Sequence, residues 1–254
     1  MSTPVIVCGR TGRMSRLIAE AVTSHPALTL RAHLASPGRS ADGPPSERTE
    51  GTAGSQAGVP VVADLAAVPG GVPVVVDFTD RQFTAAVAQQ AMTTPCALVV
   101  GTSGLIAQDR TRLAAVARRR AVVVAANFSL TLLTVARFVR ELSRTAGDGW
   151  DAGVLDVHFA GKKDAPSATA RLLAEQWSSG DSGRAQPHIA SFRLGDAVSE
   201  HRVEAAGRGE YVTVAHRVAD RSAFLPGILH AVRFAASAPA GLYTLEDVAC
   251  AAPA

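Results

Sequence analysis

The feature that most restricts the fold is a recurring unit in which a short apolar run is followed by small polar residues and then by apolar residues at helical spacing. Val5 to Cys8, Val72 to Val76, Ala97 to Val100 and Ala121 to Ala125 are such runs, with a more mixed strand at Leu28 to Leu34. A short, continuously apolar run marks a strand covered on both faces, as in parallel sheets with helices on either side. The alternation predicts an α/β fold built on a doubly wound parallel, Rossmann-type sheet. In that fold, ligands bind at the carboxyl ends of the strands. The turns Asp77-Phe78-Thr79, Gly101-Thr102-Ser103-Gly104 and Ala125-Ala126-Asn127-Phe128-Ser129 follow three of these strands and so face one place.

Gly9-Arg10-Thr11-Gly12-Arg13-Met14-Ser15 follows the first strand, and Met14, Leu17, Ile18, Ala21 and Val22 then lie on one helical face. A strand, a glycine turn and a helix start make a phosphate cradle, because glycine lets the backbone approach and the first N–H groups of the helix face the anion. The second strand ends in Ala35-Ser36-Pro37-Gly38-Arg39, without the acid that usually takes the ribose hydroxyls. Ser36 and Arg39 there would accept a 2'-phosphate, so NADPH is expected, with NADH as the alternative. Pro37 to Gly58 has no periodicity and reads as a surface loop.

Beyond Ser129, a plausible N-cap, Leu132, Val135, Ala136, Val139 and Leu142 define a helical face, which Gly147 to Gly149 ends. Period two after Trp150 puts Asp156 and His158 on one strand face. The chain has only two lysines, Lys162 and Lys163, and both stand just after His158. An ammonium gives up a proton far more readily than a guanidinium, so His158 and Lys162 are candidates for proton chemistry, with Lys163 left to solvent. A helix is predicted from Pro166 to Trp177, then strands at Ile189 to Leu194, Glu200 to Ala205 and Glu210 to Val218, and a last long helix from Arg221 to Ala236. These elements predict an inserted α+β domain with a mixed sheet. Residues 1–128 and 221–254 would then form the nucleotide domain, and 129–220 the substrate and oligomerisation domain, its uncovered sheet face pairing with another subunit.

Composition narrows the class. With 47% hydrophobic and 19% charged residues the chain is globular, and at 5% aromatic content with scattered arginines it offers no nucleic-acid platform. Cys8, Cys96 and Cys250 are too dispersed for a disulfide framework or zinc site, and no metal-ligand spacing occurs. The opening apolar run is too short for a signal peptide or membrane span, which makes a cytoplasmic protein the expectation. His25, His33, His188, His216 and His230 show no partner pattern.

Taken together, Gly9, Gly12, Arg13 and Met14, Val76-Asp77-Phe78-Thr79, Gly101 to Gly104, Ala125 to Ser129, His158, Lys162, Asp164-Ala165-Pro166-Ser167, Arg193, Gly195-Asp196, Glu200-His201, Arg221 and Phe224 resemble the dihydrodipicolinate reductase family over nearly the whole chain. The resemblance implies a homotetramer in which a nicotinamide hydride reduces a six-membered nitrogen ring bearing carboxylates. It implies that His158 and Lys162 exchange the proton, while Ser167 and Thr169 at a helix start hold a substrate carboxylate. Gly9 to Met14, Phe78, Thr79, Gly101 to Ser103 and Ala125 to Phe128 would contact the cofactor, with Arg221 and Phe224 near its nicotinamide half. Asp164 would support catalysis or cap the helix. The family usually has a second histidine where this chain has Phe159, glycine where it has Ala168, and a third glycine where it has Ser15. Two of these departures, Phe159 and Ala168, fall on recognition, so a related carboxylated cyclic imine is favoured over the lysine-pathway substrate. A non-redox dehydratase or isomerase and a non-catalytic nucleotide-binding protein are the rival readings.

Overall fold

A computed structural model describes residues 2–36, 58–180 and 183–251. The chain divides into two compact units, Met1–Phe128 with Phe224–Ala254, and Ser129–Ala223. The first begins with β1 (Thr3–Cys8), α1 (Arg13–Ser24), β2 (Leu28–Leu34), β3 (Val61–Val62), β4 (Val74–Asp77), α2 (Arg81–Ala91), β5 (Ala97–Val100), α3 (Ala107–Ala117) and β6 (Ala121–Val124). The second contains α4 (Leu130–Thr145), β7 (Asp151–His158), α5 (Ala168–Gly180), β8 (His188–Arg193), β9 (Ser199–Gly207) and β10 (Glu210–Val218). The chain then completes the first unit with α6 (Leu225–Ser237), β11 (Gly241–Tyr243) and α7 (Leu245–Cys250).

The first sheet has the order β11-β6-β5-β4-β1-β2-β3, and all its pairs are parallel. Ile6, Val75, Leu98 and Val122 are wholly buried within it, which explains why those strands read as unbroken apolar runs. The chain leaves β1 in one direction towards β2 and β3 and returns on its other side at β4. This reversal places the glycine turn and the Asp77 turn on adjacent strand ends, where doubly wound sheets bind ligands. The run expected to begin at Val72 pairs only from Val74, and Val72 is 53% exposed. Helix α1 buries Ser15, Ile18, Ala19 and Val22, so its inner face centres on a serine, with Met14 and Leu17 half-buried.

In the second unit the order is β10-β9-β7-β8, with β7 and β8 parallel and the other pairs antiparallel, the mixed sheet expected. Helices α4 and α5 cover one face, packing Leu132, Val139, Leu173 and Trp177 on Val154, Val203 and Ala205. Strand alternation turns Leu155, Val157, Phe192 and Tyr211 to the other face, where Phe192 is 48% and Tyr211 63% exposed.

Two helix starts differ from expectation. Helix α5 starts at Ala168, not Pro166, because Ser167 caps it: its hydroxyl accepts Ala170 N–H at 3.1 Å. The last long helix starts at Leu225, after a 3₁₀ turn over Arg221–Phe224, since Pro226 lacks an N–H and suits only a first turn. The short β11 and α7 carried no periodic signal; β11 is ordered by pairing with the β6 edge. The surface-loop reading falls on residues 37–57, and with it Arg39, outside the described residues. Among the described residues no helix is long and apolar enough to cross a membrane.

Candidate active site

In the first unit the glycine turn forms a cradle made of backbone. Gly9 has φ +73°, a conformation that favours glycine, and a Cβ there would come 3.2 Å from Ser15 Oγ. That hydroxyl donates to Cys8 O at 2.8 Å, so Ser15 ties α1 to the end of β1. Gly12 caps α1 without any side-chain hydrogen bond, and the first turn holds no acid. An uncapped helix start with basic neighbours Arg10 and Arg13 is a donor set suited to a phosphate, so the residues present fit a nucleotide. His33, at the end of β2, is buried and its Nδ1 lies 2.9 Å from Gly9 O, which steadies the turn from beneath. Ser36 follows β2 and is half-buried.

On the neighbouring strand ends, Asp77 accepts Thr79 N–H at 3.1 Å and Thr84 Oγ1–H at 2.6 Å, and that threonine lies 2.9 Å from Thr102 Oγ1. Burial raises the Asp77 pKa, and these hydrogen bonds only partly oppose it. Phe78 packs against buried Phe128 with ring centroids 5.0 Å apart, and it lies over Gly101 so closely that a Cβ there would meet its ring at 2.1 Å. Ser103 and Ala126 are exposed, whereas Ala125 and Asn127 are half-buried. Phe224 ends the 3₁₀ turn before α6 and is half-buried.

In the second unit a cluster of charges forms around Asp156. Its carboxylate is wholly buried; Oδ1 lies 2.9 Å from His158 Nδ1 and 3.4 Å from His201 Nε2. Its Oδ2 accepts Ser167 N–H at 2.9 Å and Ser191 Oγ–H at 3.0 Å, and pairs with Arg193 Nη2 at 3.1 Å. Burial alone would raise the Asp156 pKa, but the contacts with His158, His201 and Ser167 outweigh it and hold the group well below the usual carboxylate range. Burial lowers the His201 pKa, with Asp156 opposing. The atoms of Asp156, His158 and His201 that could bind a metal lie within 4.8 Å of one another. The Arg193 guanidinium already supplies the positive charge this carboxylate needs, which disfavours a further cation there.

Lys162 Nζ pairs with Asp164 Oδ1 at 2.6 Å, so Asp164 holds the lysine and leaves the capping of α5 to Ser167. Arg193 Nη2 also donates to Asp164 O, linking the lysine loop to Asp156. Phe159 lies beneath Arg221, with the guanidinium carbon 5.7 Å from the ring centroid. At the helix start Ser167 and Thr169 are buried and Ala168 is exposed. The Ser167 hydroxyl is engaged by Ala170 N and by His201 Nε2, 3.1 Å away. Lys163 is exposed.

Sequence reasoning brought His158, Lys162 and the α5 start into one cluster but missed Asp156 as its centre, and with it the roles of His201 and Arg193. Part of the signal existed: period two placed Asp156 on the same strand face as His158, and the structure shows this to be the covered face, where a buried carboxylate requires partners. His216, read as having no partner, lies with Nε2 3.1 Å from Ser129 Oγ and 3.2 Å from Thr131 Oγ1.

Family models described as "Dihydrodipicolinate reductase, N-terminus" and "Dihydrodipicolinate reductase, C-terminus" match residues 3–128 and 132–249. A 4-hydroxy-tetrahydrodipicolinate reductase of Anaeromyxobacter dehalogenans is 33% identical over 265 residues, covering 97% of each chain. One from Xanthomonas euvesicatoria pv. vesicatoria is 36% identical over 247 residues, covering 96% of each. The solved structure of a dipicolinate-bound dihydrodipicolinate reductase from Paenisporosarcina sp. has the same fold, with a TM-score of 0.73 at 19% identity over 97% of this chain and 99% of that one. Both halves are matched in order and the relatives align end to end, so the chain belongs to the dihydrodipicolinate reductase family and is a pyridine-nucleotide-dependent oxidoreductase of that type.

Proposed function

We propose that this protein reduces a small cyclic imine or enamine carrying a carboxylate, with His158 and Lys162 supplying and receiving the proton. The observation that carries the reading is the buried Asp156–His158 contact beside the Lys162–Asp164 pair and the start of α5, where Ala168 is exposed. When bound, the reduced nicotinamide supplies the hydride, and the glycine turn, Thr79, Thr102 and the Ala125 to Phe128 segment hold its nucleotide. NADPH is the preferred donor in this reading, since no acid follows β2 near Ser36. Hydride enters one ring atom and a proton its neighbour, so one nicotinamide is oxidised for each double bond reduced. Lys162, held by Asp164, and His158, held by Asp156, are the two groups able to deliver that proton. The Ala168 and Thr169 N–H groups at the start of α5 hold the substrate carboxylate, and the helix dipole favours it.

Two residues favour a substrate related to, but distinct from, the one in the relatives' names. Phe159 places an apolar ring under Arg221, and Ala168 adds a methyl at the helix start. Each lost or obstructed hydrogen bond to a carboxylate costs about 1–3 kcal/mol. The uncovered face of the second sheet, with Phe192 and Tyr211, supports pairing with further copies of this chain in a cytoplasmic homotetramer. The first experiment is turnover of 4-hydroxy-tetrahydrodipicolinate with NADPH and with NADH. A kcat/KM above about 10⁴ M⁻¹s⁻¹ would make this the lysine-pathway enzyme and remove the case for a changed substrate. Strong preference for NADH would overturn the cofactor reading, and product formation without loss of reduced-nicotinamide absorbance would replace the reductase by a dehydratase or isomerase.

A further inference from the structure

We propose that Asp156 is the positioning residue of the site: its buried carboxylate holds His158 with the proton on Nδ1 and, through its second oxygen, holds the start of α5. The inference rests on the reading of His158 and Lys162 as the proton-handling pair. His158 Nδ1 and Asp156 Oδ1 lie 2.9 Å apart but are not aligned as a hydrogen bond, so charge and not a directed bond joins them. A carboxylate oxygen has only lone pairs, and at that distance it favours a ring nitrogen that carries a hydrogen over one that presents a lone pair. A hydrogen on Nδ1 leaves Nε2 of His158 as the nitrogen that exchanges a proton, the same logic by which a buried aspartate fixes the tautomer in a serine-protease triad.

The other contacts of the carboxylate explain how it can remain a fixed charge. Arg193 balances it, Ser167 N–H and Ser191 Oγ–H fill Oδ2, and none of these donors is acidic enough to transfer its proton to it. Ser191, Asp156, His201 and His216 are directly opposite one another across β8, β7, β9 and β10. Each helix on that face begins on this row: Ser167, which caps α5, contacts His201, and Ser129, which caps α4, contacts His216. The titratable and charged groups facing the His158–Asp156 pair are therefore His201, His216, Arg193, Lys162 and Asp164. Through Arg193 and the carbonyl of Asp164 the same carboxylate also reaches the loop that carries Lys162. Proton delivery and carboxylate binding thus share one anchor, and its loss should affect kcat and substrate KM together while sparing the KM for NADPH.

The test begins on the unmodified full chain, with histidine ring nitrogens labelled by ¹⁵N and the His158 signals identified by their loss in His158→Gln. The expected neutral form is protonated on Nδ1; a neutral form protonated on Nε2 overturns the proposal, whatever the behaviour of any variant. In Asp156→Asn the expected kcat loss is about 10²- to 10⁴-fold. Asp156→Glu should restore part of the rate. A kcat loss with the His158 tautomer unchanged would leave Asp156 a merely structural residue and overturn the proposal. If His158→Gln and Lys162→Ala lose activity while Asp156→Asn keeps it, only the positioning role fails; if those two keep full activity, the proposed function itself fails.

Discussion

Asp77 and Asp156 are both wholly buried carboxylates near the ends of strands, one in each compact unit, yet their surroundings drive their charge in opposite directions. Asp77 meets hydroxyls and one amide N–H, so desolvation prevails and its pKa rises. Asp156 meets a guanidinium, two imidazoles, a hydroxyl and an amide N–H, which together overcome desolvation. Burial alone therefore does not decide what a carboxylate does; the charge and number of its donors do. The proposed role of Asp156 as the anchor of His158 needs the fixed charge that these donors supply.

Several variants can break or sharpen this contrast. The largest expected effect is on turnover: Lys162→Ala should lower kcat by about 10²- to 10⁴-fold, whereas Asp77→Asn should leave kcat within a few-fold, both read in a steady-state reductase assay. Next comes stability at pH 7. Asp156→Leu strands the Arg193 cation and two imidazoles and should cost about 3–5 kcal/mol, while Asp77→Asn, a neutral isostere, should cost about 1 kcal/mol or less in urea unfolding. Equal losses would erase the distinction between the two residues. A smaller effect is expected of Gly101→Ala, whose methyl must displace the Phe78 ring from its place on Phe128. About 1–3 kcal/mol of overpacking and weaker NADPH binding should appear in thermal unfolding and fluorescence titration, with no change in the His158 tautomer.

The smallest effect is the pH dependence, and its sign differs between the two residues. The depressed pKa of Asp156 adds stability that is present above the ordinary aspartate value of about 3.9 and is lost as pH falls towards the folded value. The raised pKa of Asp77 adds stability that is present below that value and is lost as pH rises through the folded one. Urea unfolding should therefore show Asp77→Asn gaining on the unmodified protein as pH rises above about 4, whereas Asp156→Asn should fall further behind as pH rises only below about 4 and keep a constant deficit from there to about pH 7. The same sign for both variants would show that the two environments are alike.

The legible part of this molecule was the part written in period and punctuation. Apolar runs and the turns after them located the strands of the first sheet, and period two set Asp156 beside His158, because those patterns follow from the backbone geometry of a strand. The stretch from Asp156 to Ala170 stood out through its two lysines and through motif resemblance. Boundaries were less legible: α5 begins where Ser167 finds Ala170 N–H, and α6 where Pro226 permits a first turn, while β11 exists only because the β6 edge is there to pair with it. Asp156 was visible as a residue but not as a hub. Its partners come from residues 167, 191, 193 and 201, and no local pattern links positions so far apart. Local periodicity was enough for fold class, family resemblance and the candidate proton donors, since these depend on near neighbours in the chain. The tautomer of His158, the capping of α5 by Ser167 and the opposite environments of the two aspartates depend on which strands lie side by side, and only the tertiary structure decides that.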